Sequence, residues 1–154
     1  MKAFFRTAVQ TDAGHILKHM KKFYAGDGYK FHPERAEINM KALINNPEWG
    51  RVFVLVSSNG EFAGYMIIVF GFSMEYQGRD AYIDELYITE PFRGRGYGTA
   101  GLDLAEKVCA EAGIRALHLE VEKYKDKTIA LYKSRGFFDR GRSLMTKWID
   151  GENH

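Results

Sequence analysis

The residues of this chain whose types and spacing could do chemistry gather in one stretch, Ile83-Asp84-Glu85-Leu86-Tyr87-Ile88-Thr89-Glu90-Pro91-Phe92-Arg93-Gly94-Arg95-Gly96-Tyr97-Gly98-Thr99-Ala100. An apolar strand pattern enters it and a helix pattern leaves it, so the glycines fall on a strand-to-helix loop. Glycine lets the backbone come close to a ligand. The first N–H groups of the helix point outward at the positive end of its dipole. A phosphate suits such a loop, and Arg93 and Arg95 add positive charge. An isolated glycine triplet also makes an ordinary turn with solvated arginines, so the neighbouring residues must decide.

Three phosphate-binding patterns compete. A P-loop is excluded, because Gly-Lys-Ser or Gly-Lys-Thr is absent at the helix start. Gly96-Tyr97-Gly98-Thr99-Ala100-Gly101 spells the Gly-x-Gly-x-x-Gly of a dinucleotide fold, with Glu120 and Glu122 about 20 residues further on. Thr89 to Arg95 is a long loop where that fold wants its glycines at the strand end, and too little chain follows for a doubly wound sheet. The third pattern is Arg93-x-x-Gly96-x-Gly98. A second motif follows it, a tyrosine ahead of a Gly-Phe pair, in Leu131-Tyr132-Lys133-Ser134-Arg135-Gly136-Phe137. On these two motifs, in this order, the sequence resembles the GNAT family of acetyl-CoA-dependent N-acetyltransferases. Ile83 to Phe138 carries most of the resemblance.

The resemblance implies an acyl-CoA N-acyltransferase fold of the α/β (α+β) class, a single mixed, mostly antiparallel sheet flanked by helices. It implies acetyl-CoA as co-substrate, with no metal. Backbone N–H groups from Arg93, Gly94, Arg95, Gly96, Tyr97, Gly98 and Thr99 would receive the pyrophosphate. Leu86, Tyr87 and Ile88 would pair with the pantetheine arm as with another strand. Family members often carry an asparagine seven positions before the tyrosine. Here that position is Lys125, which removes that family contact; Lys125 or Lys127 either reaches a phosphate instead or stands as a solvated helix start, the commoner case.

Amide formation from a thioester needs a neutral amine, a place for the oxyanion and a proton for the departing thiolate. Asp84 and Glu85 precede the cofactor segment, and a carboxylate there accepts the ammonium proton directly or through water. Both fit by motif position, with Glu85 preferred. Side chains alternate along a strand, so at most one faces the acetyl group unless a bulge intervenes. Tyr132, by resemblance, protonates the thiolate. A backbone N–H between Leu86 and Ile88 would serve the oxyanion. The acceptor, a small polyamine-like amine, an amino acid or a peptide amine, would enter beside the first two helices and the link before the cofactor strand. The candidates to line that entry are Tyr24, Tyr29, Glu75 and Tyr76, with Asp27, Glu34, Glu37 and Asp80 as further acids. Two other functions compete. A non-catalytic acyl-CoA-binding module would need neither Tyr132 nor the carboxylates, and a nicotinamide-dependent oxidoreductase would use Gly96 to Gly101.

These residues must be positioned by the elements around them. Ala3 to Val9 reads as a strand. Thr11-Asp12 then caps a helix through Ile16, Leu17, Met20, Phe23 and Tyr24. Pro33 opens a shorter helix ending near Asn45-Asn46-Pro47. Arg51 to Ser57, Asn59-Gly60 and Phe62 to Phe72 predict a hairpin with a type I′ turn. A strand from Ala81 to Thr89, the loop, a helix closed by Gly113, a strand from Ala116 to Val121, a helix from Lys127 to Ser134 and a last strand or pair from Phe137 to Ile149 complete the order. His15 and His19 share the i, i+4 spacing of a metal pair. No Glu beside His15 completes His-Glu-x-x-His, so they read as surface or groove histidines.

The chain has 154 residues, 45% of them hydrophobic and 27% charged, the balance of one compact domain. Residues 1–150 are read as that domain and 151–154 as a frayed tail. Lys plus Arg total 22 against 20 for Asp plus Glu, a formal charge of +2, which points to no nucleic-acid partner. Cys109 is the single cysteine. It excludes an internal disulfide and a Cys-based zinc cage, reads as an inert core thiol, and fits a cytoplasmic setting. The apolar runs Val52–Val56 and Tyr65–Phe70 are far short of the roughly 20 residues of a membrane span, and the first residues lack a secretory pattern. Edge pairing of the sheet would allow a homodimer.

Overall fold

The computed structural model describes residues 2–151. The chain groups into two compact units, residues 1–119 and 120–154. In the first, β1 (Ala3–Thr7), α1 (Ala13–Gly26), α2 (Pro33–Asn45), β2 (Gly50–Ser57), β3 (Phe62–Ser73), β4 (Gly78–Ile88), α3 (Tyr97–Glu111) and β5 (Ala116–His118) follow one another. Short 3-10 turns lie at Gln10–Asp12 and Glu90–Phe92. The strands form one sheet in the order β1-β2-β3-β4-β5. Neighbours are antiparallel except β4 and β5, which are parallel. This is the mixed, mostly antiparallel sheet with helices that was expected.

Strand alternation decides what each face buries. Val52, Val54, Tyr65 and Ile67 point to one side and pack with Ile16 and Met20 of α1 and Met40 of α2. Ile16, Val54 and Tyr65 are each 0% exposed. Truncating an aliphatic side chain at such a position costs about 2–5 kcal/mol. Leu55 and Ala63 point to the other side with Phe92. There α3 buries Leu102, Ala105 and Cys109. It approaches the sheet so closely that a Cβ on Gly101 would stand 3.0 Å from Leu86. Gly101, the last glycine of the apparent dinucleotide pattern, is therefore a helix-packing residue.

Several boundaries differ from expectation for local reasons. The Asp12 carboxylate accepts the Val9 N–H at 2.7 Å and pairs with Arg6 at 2.8 Å, so it closes the 3-10 turn and makes no side-chain cap bond to α1. That bidentate pair with Arg6 holds Asp12 below the ordinary carboxylate pKa. The β2–β3 connection is not type I′. Gly60 takes φ +79° while Asn59 has no positive φ, and the Gly60 N–H bonds the Ser57 carbonyl. This is a type I turn followed by a left-handed glycine. The Ser57 hydroxyl accepts the Glu61 N–H at 3.0 Å and reinforces it. β5 stops at His118, short of Val121.

The second unit contains α4 (Asp126–Ser134). Its end follows directly from the Tyr-x-x-x-Gly-Phe spacing. Gly136 takes φ +89°, its N–H bonds the Lys133 carbonyl, and the Phe137 N–H bonds the Tyr132 carbonyl at 3.1 Å. Those two bonds make a Schellman motif, completed by the contact between the Tyr132 and Phe137 rings, 5.9 Å apart. Residues 137–149 do not form the expected strand or pair. Leu144, Met145 and Ile149 of this segment are exposed. Among the described residues no helix is long and apolar enough to cross a membrane.

Candidate functional site

The site begins with an irregularity in the β3–β4 ladder. The strands pair residue for residue from Gly64↔Ile88 to Ile67↔Glu85, but the next rung is Ile68↔Ile83. Asp84 is thus the extra residue of a β-bulge, and the alternation of β4 is broken there. Ile83, before the bulge, and Leu86, after it, lie on the α3 side. Glu85 lies on the side of α1 and α2, where the Tyr65 hydroxyl donates to its Oε1 at 3.3 Å. The Tyr24 hydroxyl of α1 lies close enough to Glu85 to favour its charged form. Asp84 faces the same way, and its charge acts on both Glu85 and Tyr24. The bulge therefore brings together two carboxylates that a regular strand would send to opposite faces.

That arrangement sets their titration. Burial raises the Glu85 carboxyl from its ordinary 4.5 to about 7, and the Asp84 charge pushes the same way. The hydrogen bonds from Tyr65 and Tyr24 oppose the rise. Asp84, accessible to solvent at the bulge, is raised as well, by partial desolvation of its carboxyl. Burial, and then the Glu85 charge, raise both Tyr24 and Tyr65, so these phenols remain protonated donors. A carboxylate near 7 ringed by donors is poised to take a proton at neutral pH. Tyr65→Phe removes a donor to the ionised form, so the Glu85 titration, followed by carboxyl-carbon NMR, is expected to move up by about 1 pH unit. An unmoved titration would deny Tyr65 that role.

Among the described residues no strand pairs with the other edge of β4 beside these carboxylates. β5 pairs with it only through Asp80↔Ala116, Ala81↔Leu117 and Tyr82↔His118, so the ladder ends one residue before Ile83. From Ile83 to Ile88 the strand keeps β3 as its hydrogen-bonded neighbour and offers its outer edge. The loop beyond is anchored by Phe92, 3% exposed, and by the Thr89 N–H on the Ala63 carbonyl. Gly94 takes φ +70° and Gly96, the N-cap of α3, φ +84°. The Tyr97 hydroxyl accepts the Ala3 N–H at 2.8 Å, tying the helix start to β1. A Cβ placed on Gly94, Gly96 or Gly98 meets no atom within 4 Å. The loop therefore leaves open space at its glycines beside a helix N-terminus, whose first N–H groups have no intrahelical acceptors. Arg93 does not extend into it freely. Its Nε donates to the Ile88 carbonyl at 2.9 Å and its guanidinium lies 5.7 Å from the Tyr87 ring centre. Arg95 lies over the Phe92 ring.

Over residues 16–137, across both units, the chain matches the Acetyltransferase (GNAT) family. The chain belongs to the GNAT acetyltransferase family. It is 23% identical over 141 residues to the thialysine N-epsilon-acetyltransferase of Mus musculus, covering 87% of this chain and 83% of that protein. Among solved structures, an integron cassette protein from the mobile metagenome of Cole Harbour Salt Marsh has a TM-score of 0.82 at 30% identity, covering 94% of this chain and 90% of that one. A predicted acetyltransferase from Clostridium acetobutylicum, solved with acetyl-CoA, has a TM-score of 0.79 at 19% identity, covering 99% of this chain and 100% of that one. The nicotinamide reading is corrected by these findings and by the sheet, which is mostly antiparallel and so not the doubly wound parallel sheet a dinucleotide fold requires.

GNAT enzymes use acetyl-CoA, and the open space at Gly94, Gly96 and Gly98 fits its pyrophosphate. Gly98 permits a clean test, since its own backbone needs no positive φ and its Cβ would touch nothing in the protein. Gly98→Val is expected to leave thermal stability nearly unchanged while weakening coenzyme A binding by about tenfold or more, read by calorimetric titration. Unaltered affinity would remove the loop from the binding site.

Of the residues proposed to line the acceptor entry, Tyr24 reaches Glu85. Tyr29 packs edge-on to Tyr24 with ring centres 6.2 Å apart. Glu75 and Tyr76 lie in the turn before β4, at the opposite end of that strand from the glycine loop, where the Tyr76 ring stands 4.6 Å from His118. His19 stacks on Phe62 at 4.5 Å, which accounts for it as a packed groove histidine. Tyr65 is the residue that sequence reasoning missed. Its signal was a phenol inside the apolar run Tyr65–Phe70, because a buried tyrosine hydroxyl requires a hydrogen-bond partner.

Proposed function

We propose that this protein transfers the acetyl group of acetyl-CoA to a primary amine by direct attack, with Glu85 as the general base. The observation that carries this reading is the bulge at Asp84, which sets Glu85 among tyrosine donors beside the open edge of β4. Acetyl-CoA supplies the activated acyl group as a thioester. Residues Arg93 to Thr99 hold its pyrophosphate through backbone N–H groups, and Leu86 to Ile88 align its pantetheine arm. A backbone N–H of that same edge receives the oxyanion. Glu85 takes the proton of the incoming ammonium at a carboxylate oxygen, and Asp84 supports a cationic acceptor next to it. Tyr132 returns a proton to the departing sulfur. Burial raises its pKa, so the phenol is protonated at neutral pH. Cys109 is no nucleophile. It is buried under α3, on the other side of the sheet from Glu85, with its thiol pushed up to about 11.

The acceptor is a small molecule carrying a primary amine on a short chain, of the kind named for the thialysine-acetylating relative, or an amine of similar reach on an amino acid or peptide. The test is release of free thiol from acetyl-CoA by the purified protein against polyamines, amino acids including lysine and thialysine, and short peptides. Amine-dependent release is expected, with acetylated amine in equal amount by mass spectrometry. Coenzyme A binding without release for any amine would overturn catalysis and leave an acyl-CoA-binding module.

A further inference from the structure

β5 is three residues long, lies at the edge of the sheet and is joined to β4 by a short parallel ladder. So short a parallel ladder is weakly held on its own. Yet its end point matters. If it frayed, the open edge of β4 would lose its lower boundary, and if it zipped onward, the edge from Ile83 to Ile88 would be covered.

The side chains at this point form a construction that spans three strands. His118, on the last rung, reaches back across the ladder, and its Nε2 stands 3.2 Å from Oδ2 of Asp80 on the first rung. Asp80 is 8% exposed. The other carboxylate oxygen lies over Gly71, its partner on β3, so closely that a Cβ there would stand 2.7 Å from Oδ1. The carboxylate is thus seated where β3 has no side chain. The His118 ring is held between Tyr76, 4.6 Å away, and Tyr82, 4.7 Å away. A buried carboxylate, a glycine seat and two flanking rings all converge on one imidazole.

We propose that the Asp80–His118 pair is a latch that fixes where β4 and β5 part, and that it thereby sets the width of the edge presented to the pantetheine arm of coenzyme A. His118 and Asp80 are positioning residues, because they touch neither reacting group. The proposal rests on the assignment of the β4 edge to the cofactor. The latch acts through a hydrogen bond rather than through bulk, so a side chain that places a donor nitrogen at the position of Nε2 substitutes for histidine.

The experiment measures coenzyme A binding to the full chain by calorimetry, together with backbone amide exchange of β5. His118→Leu is expected to weaken binding about tenfold and speed exchange at Leu117 and His118, while kcat at saturating acetyl-CoA changes by less than about twofold. His118→Gln, whose amide nitrogen reaches as far as Nε2, is expected to restore most of the affinity. Gly71→Ala, which displaces the Asp80 carboxylate without touching His118, is expected to copy His118→Leu, and it decides the matter if the leucine variant does not fold. Unchanged affinity in His118→Leu and Gly71→Ala, or equal loss in the leucine and glutamine variants, overturns the latch. Failure of the unaltered protein to bind coenzyme A would instead overturn the cofactor assignment itself.

Discussion

Glu85→Gln is expected to lower kcat/KM for the amine by about 10²–10⁴-fold, the usual range for removing a positioned general base. In the unaltered protein the base must be ionised. Because Glu85 titrates near 7, kcat/KM is expected to rise with pH through that value and then level. The glutamine variant loses that rise. Its fold should not suffer. A carboxyl raised from 4.5 to about 7 by burial weakens the folded state as pH climbs through that window, and the penalty is complete above it. Glutamine removes the penalty, so the variant should be more stable by about 1–3 kcal/mol at pH 8 and little changed at pH 4. Denaturant unfolding at the two pH values checks this. Slow turnover in a protein that is no less stable would assign the loss to chemistry, and full activity with an intact pH profile would exclude Glu85 as the base.

Tyr132→Phe is the second large effect. The variant keeps the ring that meets Phe137, and the Tyr132 backbone carbonyl that accepts the Phe137 N–H is untouched. The α4 end should therefore hold, and melting should shift little. The lost group is the hydroxyl, whose raised pKa keeps it protonated. A proton donor to the leaving thiolate acts in the transition state and not in binding, so kcat is expected to fall about 10²-fold while KM for acetyl-CoA stays within about twofold. An acyl donor with a more acidic thiol leaving group should lose much less in the variant. Equal losses for both donors would deny Tyr132 the role of acid.

Both motifs that identify the family were legible in the chain because each encodes a local backbone conformation. Gly94 and Gly96 adopt positive φ for reasons contained in their own lack of a side chain. The Tyr132–Phe137 spacing writes a helix end that closes on itself. Helix and strand order followed from periodicity for the same reason. The last segment, Phe137 to Ile149, shows the limit, since apolar residues alone do not make a strand without a ladder to join.

Motif position preferred Glu85 over Asp84 but said nothing of the side chains around either. Their surroundings depended on the register of β4 against β3, whose rungs on either side of the bulge join residues 18 and 15 positions apart, and the one-residue bulge set Asp84 on the same face as Glu85. The same register placed Tyr65 against Glu85 and Gly71 under Asp80. By itself, then, the sequence determined the glycine loop, the helix-terminal motif and the family they mark, because those conformations are written within a few adjacent residues. The tertiary structure alone decided that Asp84 and Glu85 share a face, which phenols surround Glu85 and where the β4–β5 ladder ends, because strand pairing brings together side chains that no local spacing relates.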